Sequence, residues 1–197
     1  MNWIQHPLVL EGERVKLVPL DDKYFDELIE VSRDKRIWEF LSIDGTDEDS
    51  LRTALKSATL KRMNGEEYPF IIIDKVKNAV IGCTRYMEIA PEHKKLEIGW
   101  TWYIPAYWAT GYNTECKLLL LTYAFETLKC MRVQLKTWDK NLRSRAAILK
   151  LGAQFEGILR NNIIRYDGVM RNTCYFSIID TEWSDVKLML QKRVQGE

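Results

Sequence analysis

Residues 105–125, PAYWATGYNTECKLLLLTYAF, decide how the chain is read. A proline and two aromatic residues lead through a small-residue turn into an apolar run. Cys116, Leu119, Leu120, Tyr123, Ala124 and Phe125 fall on overlapping helical faces. That pattern predicts a helix to about Lys129, buried nearly all round. Its beginning is unusual. Thr110 and Gly111 are small, and only Asn113 offers an obvious side-chain cap. The first N–H groups of a helix point outward, and the dipole adds partial positive charge there. Such a start suits a pyrophosphate, but it also makes an ordinary strand-to-helix corner. These residues alone leave both readings open.

A strand is predicted on either side of this helix, at residues 96–104 and 131–138. The three form a β-α-β unit, for which a right-handed parallel crossover is the default. Its mouth, where strand ends and helix begins, is the favoured ligand position in an α/β layer. Further out, residues 15–20 alternate as a first strand, and Asp21-Asp22 caps a helix to about Arg33. Residues 37–41 form a short apolar turn on the core, and Asp47 begins a helix ending near Asn64-Gly65. Residues 68–74 and 79–89 form a hairpin. Asn141 caps a helix that stops at Gly152, and residues 154–165 and 169–179 form a second hairpin around Asp167-Gly168. A terminal helix starts near Thr181, with a frayed tail expected after Arg193. The order is β-α-α-β-β-β-α-β-α-β-β-α, with no repeat or linker. It predicts one α/β (α+β) domain over 1–197, with a mixed, mostly antiparallel sheet of about seven strands and helices on both faces.

The bulk numbers exclude several classes. At 197 residues, 46% hydrophobic and 29% charged, the chain can build one substantial soluble core. Its 29 Lys and Arg balance 28 Asp and Glu, so neither a general nucleic-acid role nor a membrane-surface role is supported. Cys83, Cys116, Cys130 and Cys174 form no CxxC pair and read as reduced core thiols in a cytoplasmic protein. No signal peptide or membrane span is expected, the run 118–121 being too short to cross a bilayer. With only His6 and His93, no metal site is expected.

Chemistry-bearing residues cluster around the β-α-β mouth. Simple alternation puts Ile98, Trp100, Trp102 and Ile104 on one face of their strand, and Glu97, Gly99, Thr101 and Tyr103 on the other. Glu97 is then either a base on a polar face or a carboxylate paired with a nearby cation. Asn141 and Ser144 lie one turn apart at a helix start, suited to capping or to chemistry. Lys136, Lys140, Arg143, Arg145 and Lys150 make a solvated face or meet a phosphate.

LEIGW (96–100), YWATGYNTE (107–115), NLRS (141–144) and KLG (150–152) together resemble the GNAT superfamily of acyl-CoA-dependent N-acetyltransferases. The closer similarity is to the RimJ/RimL-like, ribosomal-protein-alanine branch. It covers nearly the whole chain, from LEGERVKL (10–17) to the region of Trp183. The family's phosphate loop reads Arg or Gln, two residues, Gly, one residue, then Gly or Ala. Here the window is Trp108 to Asn113, and only Gly111 fits. Trp108 and Asn113 depart from the pattern, and Ala109 stands where a further Gly is common.

The resemblance implies splayed central parallel strands with acetyl-CoA between them. The cofactor's pyrophosphate would meet the loop from Trp108 through Ala109, Thr110, Gly111, Tyr112 and Asn113 to Thr114. Pantetheine would run beside Trp102, Tyr103 and Ile104. Asn141 would contact pantetheine, and Ser144 would lie near the sulfur and act as the acid. Glu97 is the candidate base, directly or through a water. Trp38, Arg85 and Tyr86, with Phe40, are expected to line the acceptor cleft. The acceptor is a primary amine: a protein N-terminus, or a small molecule such as an amino acid, polyamine or drug. A non-catalytic acyl-CoA-binding module is the alternative of another class. A nucleic-acid binder using residues 136–150 is a third, against which the balanced charge speaks. No nucleic-acid or membrane partner is expected, and a homodimer is left open.

Overall fold

The computed structural model describes residues 3–196. The apolar runs become the strands of a single sheet. They are β1 (Leu10–Glu11), β2 (Val15–Pro19), β3 (Tyr68–Asp74) and β4 (Ala79–Ala90), then β5 (Lys95–Tyr103), β6 (Arg132–Trp138), β7 (Gln154–Ile164) and β8 (Met170–Ile179). Their spatial order is β1-β2-β3-β4-β5-β6-β8-β7. Seven strands were expected, and the eighth is the two-residue β1, too short to show a period. All neighbours are antiparallel except β5 and β6, which run parallel.

Both faces of the sheet are covered, which is why β3 reads as a continuous apolar run rather than an alternating one. Leu17, Phe70 and Ile72 face one core, with Cys116, Leu120 and Leu121 of α3 (Tyr112–Thr122) and Leu190 of α5 (Trp183–Gln195). Val18, Ile71 and Val80 face the other, with Phe25 and Leu28 of α1 (Phe25–Val31) and Leu51 and Leu55 of α2 (Glu48–Met63). The Asp47 carboxylate caps α2 by accepting from the Ser50 N–H at 2.9 Å. A π-helical turn, Tyr123–Thr127, carries α3 on to the predicted end. All four cysteines are buried and unpaired. The expected frayed tail is instead helical to Gln195, with Gly196 as a left-handed cap; Glu197 lies outside the described residues.

Two features of β5 position the site. First, it pairs with β6 only through Lys95, Leu96 and Glu97 against Arg132, Val133 and Gln134. Beyond these the parallel strands part. Second, β5 carries a bulge. Cys83 pairs with Trp102 and Arg85 with Gly99, so Trp100 and Thr101 together oppose Thr84. Trp100 takes a left-handed φ of 51°. The extra residue resets the alternation. Leu96 and Ile98 face α3, as do Thr101 and Tyr103, whereas Trp100 and Trp102 pack on the α1–α2 side. The single polar face expected from simple alternation is therefore divided at the bulge.

Candidate active site

Where β5 and β6 part, a cavity of about 400 Å³ opens. It is walled by the start of α3, with Ala109, Asn113 and Lys117, and by α4 (Leu142–Lys150), with Arg143 and Ser144. Phe40, Leu41 and Ser42, and Ile163 and Arg171 of the β7–β8 hairpin, line it as well. Glu97, Gly99 and Trp100 line it from β5, and Lys136 and Thr137 from β6.

The start of α3 has no side-chain cap, and Asn113 does not serve as one. Gly111 is the N-cap at φ 88°, a conformation glycine adopts without strain. A Cβ there would meet the Arg14 guanidinium at 3.2 Å, so a second cation stands beside the loop. Arg14 is held by Glu115, whose carboxylate accepts from the Arg14 Nε at 3.1 Å and its backbone N–H at 2.9 Å. Thr110 Oγ1 donates to the Tyr107 carbonyl. Ala109, where a further glycine was noted as common, is left-handed at φ 60°. Trp108 carries the Arg143 guanidinium 3.8 Å from its ring centroid and donates its indole N–H to the Tyr103 carbonyl. One carbonyl of the stretch expected to meet pantetheine is thus already occupied. Trp102 and Tyr103 line the cavity; the Ile104 side chain packs between the two cores.

Asn141 caps α4, its Oδ1 accepting from the Ser144 N–H at 2.9 Å. Ser144 lines the cavity. Glu97 is 1% exposed, so it does not sit on a solvated face. Its Oε2 lies 2.9 Å from Lys136 Nζ and accepts from Gln134 Nε2 at 3.0 Å. Lys136 also pairs with Glu88 at 2.7 Å. Burial pushes the Glu97 carboxyl above its ordinary range, and Lys136 and Gln134 only partly oppose this. Gly99 leaves the carboxylate its place, since a Cβ there would meet Glu97 Oε1 at 2.6 Å.

The acceptor residues named from the sequence need correction. Trp38 is 1% exposed, donates its indole N–H to the Ser32 carbonyl, and packs on Trp100 and Trp102 as core. Tyr86 is fully buried on the α3 side, with its hydroxyl donating to the Leu120 carbonyl. Arg85 is ion-paired to Glu67 at 3.0 Å and stacked 3.8 Å over Trp100, behind the cavity wall. Of that set, Phe40 reaches the cavity. Two buried cations of the cavity wall were missed. Lys117 is 4% exposed, and its ammonium donates to Thr101 Oγ1 at 2.7 Å and reaches Thr84 Oγ1 at 3.4 Å. Desolvation lowers its pKa to about 8. Arg171 is the other. A lone cation within an apolar period was the available signal for Lys117; Arg171 gave none, because its wall is assembled by the sheet. Lys136 is committed to carboxylates and Arg143 to Trp108, so the run 136–150 is not one exposed basic face.

Among the described residues, no group of three His, Cys, Asp or Glu could hold a metal, and no helix is long and apolar enough to cross a membrane. The profile of the acetyltransferase (GNAT) domain matches residues 14–154. N-acetyltransferase YoaA of Bacillus subtilis (strain 168), itself uncharacterized, is 30% identical over 100 residues. That match spans about half of each protein, 51% of this chain and 55% of YoaA. YdaF of the same organism, provisionally named a ribosomal N-acetyltransferase, is 26% identical over 87% of this chain and 92% of its own. A GCN5-related N-acetyltransferase from Brucella melitensis superposes with a TM-score of 0.88 at 27% identity, covering 96% of this chain and 86% of that one. RimJ of Mycobacterium smegmatis, solved with CoA-disulfide, shares the fold at a TM-score of 0.82 and 17% identity, with 95% of each chain covered. With the domain profile spanning residues 14–154, most of its length, the chain belongs to the GNAT acetyltransferase family.

Proposed function

We propose that this chain moves the acetyl group of acetyl-CoA to a primary amine in the cleft between β5 and β6. The observation that carries the reading is Glu97: a buried carboxylate with a raised pKa, on the wall of a cavity where two parallel strands part. The cavity also fits the cosubstrate. The uncapped α3 start leaves N–H groups for phosphate, with Arg143 and Arg14 close by. Acetyl-CoA supplies the activated acyl group as a thioester. Trp102, Tyr103 and Asn141 flank the path of its pantetheine arm.

An ammonium acceptor must lose a proton before its nitrogen can attack. Glu97 takes that proton, directly or through a water, and burial makes it a better base than an exposed carboxylate. Ser144 returns a proton to the departing thiolate. A backbone N–H of β5 stabilises the oxygen that gains charge.

YdaF's name makes a protein N-terminus the first acceptor to try. A small amine is the second reading, favoured by the way the β7–β8 hairpin encloses the cavity. There Arg165, on the β7–β8 hairpin, donates to the Glu39 carbonyl at 2.6 Å and stacks on Trp138. The test is thiol release from acetyl-CoA with a mixture of amines and N-terminal peptides, followed by mass spectrometry of the products. Acetylated product identifies the acceptor. CoA binding without product from any amine would favour a non-catalytic module.

A further inference from the structure

The charges lining the cavity are unbalanced. Glu97 is its one acid among the described residues, against Lys117, Lys136, Arg143 and Arg171. Three of the cations are accounted for. Lys136 is paired with Glu97 and Glu88. Arg143 stacks on Trp108 at the phosphate end. Lys117 is held by two threonine hydroxyls on the α3 side.

Arg171 is different. It is 8% exposed, and its Nε is buried without a hydrogen-bond partner among the described residues. No described carboxylate lies within ion-pair distance of its guanidinium. Glu97, the acid that acts on it, is taken by Lys136 and Gln134, and Asp167 of the hairpin turn by Arg165. Arg165 adds a like charge beside it, while Glu97 acts on it with the opposite sign. Arginine does not discharge at physiological pH, so burial without an anion is a standing cost. The residue belongs to β8, opposite Ile163 of β7, and both line the same cavity as Glu97. A planar guanidinium there matches a carboxylate in two-pronged fashion.

We infer that Arg171 is an anion subsite for the acceptor, which is a primary amine carrying a carboxylate. The amine is directed to Glu97 and the carboxylate to Arg171. This rests on the acetyltransferase reading above. The carboxylate has two sources, the α-carboxylate of a free amino acid or an acidic side chain near a peptide N-terminus. Both present the same chemistry to the guanidinium.

The experiment uses the intact protein, with each α-amino acid compared against its carboxamide and a Ser-Glu N-terminal peptide against Ser-Gln. Acetyl transfer and the shift in melting temperature are read in parallel. Wild type is expected to favour the carboxylate member of a pair by about tenfold or more in kcat/KM, the range of a hydrogen bond to a charged group. Arg171→Gln should erase that preference, the loss falling on the KM of the carboxylate member of each pair. Arg171→Lys, which keeps charge without the fork, should retain part of it. Which pair shows the effect separates the two sources. Equal use of acid and amide by wild type would overturn the subsite, even if the variant fails to fold, and leave the acetyltransferase reading standing. So would a preference that survives in Arg171→Gln. If no amine is acetylated, the proposed reaction falls and the melting shifts decide. Stabilisation by carboxylates alone, lost in Arg171→Gln, upholds the anion subsite; equal shifts by acid and amide refute it.

Discussion

As the proposed base, Glu97 needs two properties that oppose each other: it must be buried to be basic, and charged to accept a proton. The structure reconciles them by placing Lys136 and Gln134 against one carboxylate oxygen, while Gly99 keeps space beside the other. Because burial raises the pKa, acetyl transfer should fall as pH drops through that raised value, the carboxylate then being protonated. The same shift means that the native state binds this proton more tightly than the unfolded chain. Glu97 therefore adds stability below its ordinary pKa and loses it as pH rises through the folded value. Glu97→Gln should lower the acetyl-transfer rate by roughly 10²–10⁴-fold and abolish the acid limb of its pH profile. A loss below about tenfold, with that limb intact, would make Glu97 an orienting group. Ser144 poses a simpler question. Its N–H caps onto Asn141 and its hydroxyl is not needed for that bond, so Ser144→Ala should preserve the fold and acetyl-CoA binding. Turnover should drop where chemistry limits the rate, because a thiolate leaves less readily without a nearby proton donor. Wild-type turnover in a folded Ser144→Ala enzyme would transfer the acid role to a tyrosine or water.

Between elements, the informative contact is α3 against the β4–β5 bulge, joined by Lys117, Thr84 and Thr101. An ammonium buried here with hydroxyls alone is destabilised, and its pKa falls to about 8. Between about 8 and the ordinary lysine value, the unfolded chain holds a proton that the native state has released. Stability contributed by this residue therefore rises with pH across that window. Lys117→Met should be more stable than wild type at neutral pH by up to about 3 kcal/mol, and the difference should shrink towards about pH 10. Denaturant titrations at the two pH values check this; a pH-independent difference would mean that Lys117 is already neutral or that its charge is solvated. The same region shows what the sequence can and cannot disclose. The apolar period of α3 and the alternation of β2 are legible because they repeat. The bulge is not, since one inserted residue leaves no period of its own, and Trp100 and Trp102 were consequently assigned the face of Ile98. Trp38, Tyr86 and Arg85 failed as acceptor residues for a related reason. An aromatic ring or a cation has the same letter in a core as on a cavity wall, and only the packing of Trp38 under Trp100 and the pairing of Arg85 with Glu67 distinguish them. That Asn141, Ser144 and Glu97 share one cavity is legible because each stands at a fixed offset from a strand or helix end.

For the molecule as a whole, the sheet is thinly joined at its centre, where the proposed cosubstrate would enter. β1 to β5 form one antiparallel part and β6 to β8 another, and only three residue pairs join β5 to β6. A ligand lying along the parted edges would supply contacts that the strands do not make to each other. It should stabilise the native state by mass action, by about 2.7 kcal/mol at a concentration of roughly 100 Kd. For a chain of this size that corresponds to a melting shift of roughly 5–10 °C, at about 2–4 °C per kcal/mol. Comparing CoA with pantetheine separates the two halves of the site. Pantetheine can occupy the space between the strands but carries no pyrophosphate for the α3 start. CoA should therefore raise the melting temperature more than pantetheine at equal concentration, and the excess should shrink with added salt. Arg143→Ala should reduce the CoA shift and leave that of pantetheine nearly unchanged, since Arg143 stands at the phosphate end on Trp108. Equal shifts from the two ligands would remove the phosphate role from the loop at 108–114. No shift from CoA at any concentration would remove CoA from the cleft altogether, and with it the route by which an acetyl group reaches Glu97.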